Sequence, residues 1–271
     1  MMDAIDGMQA RRTKSSTPLG QLFDHGCDCA TTTVFSLMMI NGLGVGPTWR
    51  SIGLMGSVQV AFFLSQWEEK YTGICRTSVA GLFGVTESQL MLAAQMFLSA
   101  WDPRIGEHLV YEAYTLQDAW FYLYCGFMVF ISLLCIVGVV RKHPSSLIEL
   151  IAIVALNGAV LFWSLFLGIA DNEYLLIILC LAFCNSFSTI RVILAGISHT
   201  EFPLYHPVSF PYYFLLVARA VLGEGTWVQS ALTMYLGGLL THILTALVKV
   251  SNEIAAYLGI YVFDIIHNRK T

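Results

Sequence analysis

Four carboxylates near the start of the chain, Asp3, Asp6, Asp24 and Asp28, lie within residues 3–28, DAIDGMQARRTKSSTPLGQLFDHGCD. Asp3 and Asp6 are three residues apart and Asp24 and Asp28 four apart, so on helices the members of each pair share a face. Two helices turning those faces toward each other would build one four-carboxylate cluster. Left bare, the cluster would repel itself strongly, and hard divalent cations with oxygen ligands are the usual remedy. Two ions held in this way could clamp the attacking and leaving oxygens of an in-line phosphoryl displacement.

The elements that must position these residues are membrane helices. The chain is 56% hydrophobic and 12% charged, with mean hydropathy +0.68, against about 25% charged residues in a soluble domain. Eight stretches approach the roughly 20 apolar residues that a helix needs to cross a bilayer: 20–42, 51–66, 88–101, 119–140, 147–169, 174–197, 208–223 and 227–248. Continuous apolar runs of this length exclude barrel strands. The expected fold is therefore all-α, a polytopic transmembrane bundle of about eight spans. It divides most simply as one membrane domain over 1–271, with the chemical motif in 1–28, the rest of the bundle in 29–248 and a tail in 249–271. No internal repeat or inverted-repeat symmetry is visible.

Charge sets the orientation. With 1–19 cytosolic, eight spans return loops 67–87, 141–146 and 198–207 and the tail to the same side. These segments hold Arg11, Arg12, Lys14, Lys70, Arg76, Arg141, Lys142, Lys249, Arg269 and Lys270, whereas the opposite loops hold Arg50 and Arg104. That asymmetry is what the positive-inside rule expects. A net charge of −4 and a pI near 5.9 provide no basic field for nucleic acid. The chain start has no apolar h-region, so no cleavable signal peptide is expected.

The spacing Asp3-x2-Asp6-Gly7-x2-Ala10-Arg11-x8-Gly20-x3-Asp24-x3-Asp28 resembles the signature of the CDP-alcohol phosphotransferases at all eight fixed positions. The string QARRTKSSTPLGQLFDHGCD looks most like the eukaryotic choline and ethanolamine phosphotransferases. Weaker similarity runs through Trp67-Glu68-Glu69 with Gly73, Val85-Thr86-Glu87, and the tail from Val250 to Phe263.

The resemblance implies that Asp3, Asp6, Asp24 and Asp28 hold two Mg²⁺ or Mn²⁺ ions bridging the diphosphate of CDP-choline or CDP-ethanolamine. It implies that Gly7, Ala10 and Gly20 let the nucleotide approach the backbone, and that Arg11 pairs with phosphate. His25 would be the general base for the 3-hydroxyl of diacylglycerol, with Asp28 as the alternative and Glu87 as a supporting site residue. The products would be CMP and phosphatidylcholine or phosphatidylethanolamine, formed at the cytosolic face of the endoplasmic reticulum or Golgi by a homodimer.

Family members carry an amphipathic segment and at least one further transmembrane helix ahead of the motif. The resemblance thus implies upstream elements that do not precede Asp3 here: an incomplete gene product, an internal-start isoform or an inactive relative. The competing function is that of a catalytically weak membrane partner of a full-length enzyme. Met8 stands where the eukaryotic branch has lysine.

The remaining polar residues have plainer readings. Arg12 and Lys14 read as positive-inside anchors, and Trp67, Trp101, Trp120 and Trp227 as interfacial aromatics. Glu68 and Glu69 read as a solvated loop face. His108, His143, His199, His206, His242 and His267 are explained by loop polarity, and Arg191 and Arg219 by snorkelling or a helix–helix hydrogen bond. The seven cysteines, without zinc or disulfide spacing, read as reduced apolar residues.

Overall fold

The computed structural model describes residues 12–13, 16–76, 78–79, 83–111, 114–166, 168–203, 206–223, 225–260 and 262. Among them are eight long helices: α1 (Pro18–Gly42), α2 (Trp49–Thr72), α3 (Val85–Trp101), α4 (Leu116–Val140), α5 (Ile151–Phe166), α6 (Asp171–Ser198), α7 (Phe210–Leu222) and α8 (Thr226–Leu258). A short antiparallel pair, β1 (Ser78–Val79) with β2 (Phe83–Gly84), precedes α3, and a second, β3 (Leu109–Tyr111) with β4 (Tyr114–Thr115), precedes α4. Each expected span has its helix, so the all-α bundle stands.

Among the described residues, four segments are long and apolar enough to cross a membrane: α4, Pro144–Phe166, α6 and α8. By length and composition, they make this an integral membrane protein.

Local chemistry fixes the helix ends. Thr17 caps α1, its Oγ1 accepting from the Gly20 amide at 3.0 Å, and Pro18 follows at the first helical position, where a missing N–H is harmless. Gly73, at φ 70°, ends α2 in the left-handed conformation that a side chain resists. At the start of α4, Thr115 Oγ1 accepts from the Asp118 amide, and the Asp118 carboxylate accepts from the Thr115 amide at 3.0 Å.

The helices alternate in direction. At one end of the bundle, the start of α1, the end of α2, the 3₁₀ segment Pro144–Leu150 and the end of α6 converge. Gln21 reaches Glu69, Lys70 reaches Glu149, and a Cβ on Gly196 would sit 3.6 Å from the Lys70 backbone. At the other end, Arg50 pairs with Asp118 at 2.7 Å and Arg219 with Glu173. The loops expected to share one side thus gather together.

α6 is the central helix. Its most apolar stretch is 78% buried, against 22% for α4 and 17% for α8, so those two leave most of that stretch unpacked by the rest of the described chain. An Asn157–Asn185 pair exchanges amide hydrogen bonds of 2.9 and 3.0 Å between α5 and α6. Such polar contacts substitute for the hydrophobic drive that is missing between helices in lipid.

Several expectations need correction. α2 runs to Thr72 rather than 66, and α8 to Leu258 rather than 248. For α2, hydropathy reads the charges from Glu68 to Lys70 as loop, but their heads are paired within the bundle. Trp67 is not an interfacial aromatic. It is fully buried, and its indole N–H donates to Glu149 Oε2 at 2.9 Å.

Glu68 is likewise no solvated loop residue. It is 2% exposed and held by Arg76. Glu173 is buried at the start of α6 against Arg219, whose guanidinium also lies 4.3 Å from the centroid of the Trp163 ring. Of the two readings offered for Arg219, the helix–helix bond holds. His206 is not merely a polar loop residue: it is buried against Phe187 and Phe202. All seven cysteines are free, and Cys27 is exposed rather than apolar core.

Candidate active site

α1 determines the site. Starting the helix at Pro18 places Asp24, His25 and Asp28 one to three turns in, and all three line a cavity of about 370 Å³ enclosed by α1, α2, α3 and α4. The four-residue step between Asp24 and Asp28 brings both carboxylates to the same wall, as the periodicity requires. Both are half-buried.

The lining is of two kinds: Asp24, His25, Asp28, Gln66, Cys75 and Arg76 are polar, and Phe35, Val58, Phe62, Phe127, Met128 and Ile131 apolar. Along α1 the aspartates come first and Phe35 last, so the cavity runs from a polar toward an apolar end. Thr32, also on the lining, returns its hydroxyl to the Asp28 carbonyl at 2.6 Å.

His25 points toward α2. Its Nδ1 is buried and finds no hydrogen-bond partner among the described residues; Glu69 Oε2 is 3.6 Å away. Glu69 is itself held by Gln21, whose amide donates to Oε1 at 3.0 Å. Cys75 stands beside both, its sulfur taking a bond from Gln66 Nε2 at 3.5 Å. Burial, and then the Glu69 charge, push the Cys75 thiol up to about 12.

Arg76 grips Glu68 with two prongs, Nε at 2.9 Å and Nη2 at 2.8 Å. Those hydrogen bonds raise the already high pKa of the guanidinium. With Nε and Nη2 engaged by Glu68 and the side chain about one-third exposed, the guanidinium is held at the cavity lining as half of an ion pair.

Asp24, His25 and Asp28 are therefore brought together. Gly20 lies on the exposed first turn of α1, its amide spent on the Thr17 cap. Glu87 is exposed at the start of α3, where its carboxylate accepts from the Gly84 amide at 2.8 Å. Gly84 and Ser88, its neighbours, line the cavity. Asp3, Asp6, Gly7, Ala10 and Arg11 lie outside the described residues.

Sequence reasoning missed Gln66, Cys75 and Arg76 as site residues and misread Glu69. A charged cluster at an apolar run's end is the signal that could have flagged Glu69 and Arg76. No spacing announces Cys75.

The donor set fits a hard divalent cation. Two carboxylates one turn apart on a half-buried wall offer the oxygen ligands that such an ion takes.

Residues 1–202 match the family described as CDP-alcohol phosphatidyltransferase. The chain belongs to that family. It is 27% identical over 303 aligned positions to cholinephosphotransferase 1 of Saccharomyces cerevisiae, covering 99% of this chain and 76% of the yeast protein. It is also 27% identical over 290 positions to human ethanolaminephosphotransferase 1, covering 97% and 70%. A Dictyostelium discoideum protein described as an uncharacterized CDP-alcohol phosphatidyltransferase class-I family protein 2 is 26% identical over 241 positions, covering 82% of this chain and 54% of its own length. This family member thus spans between about half and three-quarters of these relatives. The yeast and the human protein are equally identical to it over nearly the whole chain.

Proposed function

We propose that this protein transfers phosphocholine or phosphoethanolamine from CDP-choline or CDP-ethanolamine to diacylglycerol, releasing CMP. The observation that carries the reading is the two-ended cavity. Asp24, His25 and Asp28 stand at the end suited to a water-soluble diphosphate, and Phe35, Phe62 and Phe127 at the end suited to acyl chains. Membership of the family and the named relatives support the reaction class.

Asp24 and Asp28, with Asp3 and Asp6, would hold two Mg²⁺ or Mn²⁺ ions. When bound, such ions neutralise phosphate charge and polarise the bond being broken. The donor's diphosphate would lie along the α1 wall, with Arg76 as a second cationic contact beside Arg11. Gly7, Ala10 and Gly20 would give the nucleotide close approach to the backbone.

The acceptor's 3-hydroxyl would enter from the apolar end and meet His25. With Nδ1 turned toward Glu69, Nε2 is the ring nitrogen left to accept the hydroxyl proton as the oxygen attacks the β-phosphorus. The phosphorus–oxygen bond to CMP breaks, and the proton leaves His25 for solvent. Asp28 is the alternative base, and Glu87 supports the site's edge by fixing the first turn of α3. The reaction would take place at the cytosolic face of the endoplasmic reticulum or Golgi, where the basic loops gather, in a homodimeric protein.

The test is CMP release by purified protein supplied with Mg²⁺, CDP-choline or CDP-ethanolamine, and diacylglycerol. Release should require all three. Phe62→Trp, which fills the apolar end, should raise the KM for diacylglycerol several-fold while leaving that for the donor unchanged. If it raises the donor KM instead, the assignment of the two ends is wrong. Metal and donor binding without any turnover would favour the partner role.

A further inference from the structure

A second donor set borders the cavity beside the aspartates, two of its three residues lining it. His25, Glu69 and Cys75 each offer one ligand atom, and the three atoms lie within 4.8 Å of one another. We infer that these residues form a thiophilic cation site that takes Zn²⁺ or a similar borderline-soft divalent ion.

The geometry is near that of a three-ligand zinc site. Bonds of about 2.0–2.3 Å in a tetrahedron set ligand atoms roughly 3.3–3.8 Å apart, and His25 Nδ1 already lies 3.6 Å from Glu69 Oε2. Cys75 has to close by no more than about 1 Å, within reach of a side-chain rotation.

A buried imidazole nitrogen normally finds a partner, but His25 Nδ1 finds none among the described residues. A cation between the three would satisfy it. The outer contacts are those of a supported site: Gln21 holds the other Glu69 oxygen at 3.0 Å, and Gln66 approaches the Cys75 sulfur at 3.5 Å. Such contacts orient ligands for metal. His25 and Cys75 line the cavity, so the fourth position faces the cavity, as in an open rather than a structural zinc site.

The nitrogen, oxygen and sulfur donors separate this site from the aspartates, whose all-oxygen set suits Mg²⁺ or Mn²⁺. An imidazole already bound to a cation is a poor proton acceptor. Zn²⁺ would therefore inhibit the transfer by occupying His25, a consequence that rests on the reading of His25 as the base.

The experiment uses the full chain in detergent, held at saturating Mg²⁺ and titrated with Co²⁺ as a spectroscopic stand-in for Zn²⁺. A near-ultraviolet thiolate-to-cobalt charge-transfer band is expected, and added Zn²⁺ should displace it. Cys75→Ser should abolish the band, whereas Cys27→Ser, with gel filtration confirming that both variants are folded, should keep it. Glu69→Gln should weaken Zn²⁺ binding by about 10–100-fold. No band in the parent protein, or an unchanged band in Cys75→Ser, overturns the site. A Cys75-dependent band with CMP release unaffected by saturating Zn²⁺ upholds the site and overturns His25 as the base. Loss of turnover in His25→Ala with no band in the parent does the reverse.

Discussion

Two carboxylate clusters share the last turns of α2 and differ in how completely they are satisfied. On one face, Trp67, Lys70 and Tyr71 converge on Glu149. Lys70 Nζ and the Tyr71 hydroxyl donate to Oε1 at 2.8 and 2.9 Å, and the indole donates to Oε2. On the adjacent face, Gln66 and Glu69 turn toward α1, where His25 Nδ1 is left without a hydrogen bond among the described residues. A saturated buried carboxylate locks two elements together. An unsatisfied ring nitrogen at a cavity wall is what a site requires if something else is to bind or a proton is to move. Steps of 100° along one helix therefore separate scaffold from site.

Mutations can break that contrast. Asp28→Ala should produce the largest effect, lowering turnover by about three to four orders of magnitude through lost phosphate neutralisation, with the melting temperature little changed. If turnover survives, the aspartate wall is not the reacting centre. Glu149→Ala should do the opposite. It strands the Lys70 ammonium in the bundle and should cost about 3–4 kcal/mol of stability, seen as a lower thermal midpoint in detergent, with CMP release per folded molecule largely kept.

His25→Ala should lower turnover about a hundredfold without weakening donor binding measured by equilibrium titration. Loss of donor binding alone would make the residue a recognition group.

Two smaller effects sharpen the comparison. A Cβ on Gly138 would stand 2.5 Å from Glu68 Oε1, so Gly138→Ala should push against the Glu68–Arg76 fork. It should cost about 1–3 kcal/mol in stability and raise the donor KM slightly if Arg76 is displaced. Last, the thiol of Cys75 is pushed up to about 12. Its thiolate fraction should therefore climb about tenfold per pH unit from 8 to 10. Alkylation read by peptide mass spectrometry should follow that climb and reach no plateau there. The exposed Cys27 serves as the accessible reference.

The helices were legible because apolar runs of bilayer length leave the backbone few other choices. The ends that Thr17-Pro18 and Gly73 fix were not read from the sequence, since the expected spans began at 20 and stopped at 66. Hydropathy failed at Glu68 to Lys70, where the helix continues through charges whose partners, Arg76 and Glu149, lie 8 and 79 residues away. A window average sees each charge alone and counts its desolvation without its partner. Trp67 was misplaced for the same reason, since its indole seeks a buried carboxylate rather than the interface.

The sequence by itself determined the family and the motif of residues 3–28. It also put Asp24 and Asp28 on one face of α1, because a four-residue step on a helix is a local property of the backbone. Only the tertiary structure decided what stands opposite that face. It put Glu69 beside His25 and turned Glu87 to the cap of α3. It aimed Arg76 into the cavity and brought Cys75 within reach of the imidazole. Those pairings depend on how α1, α2 and α3 pack, and packing joins residues that no local periodicity relates.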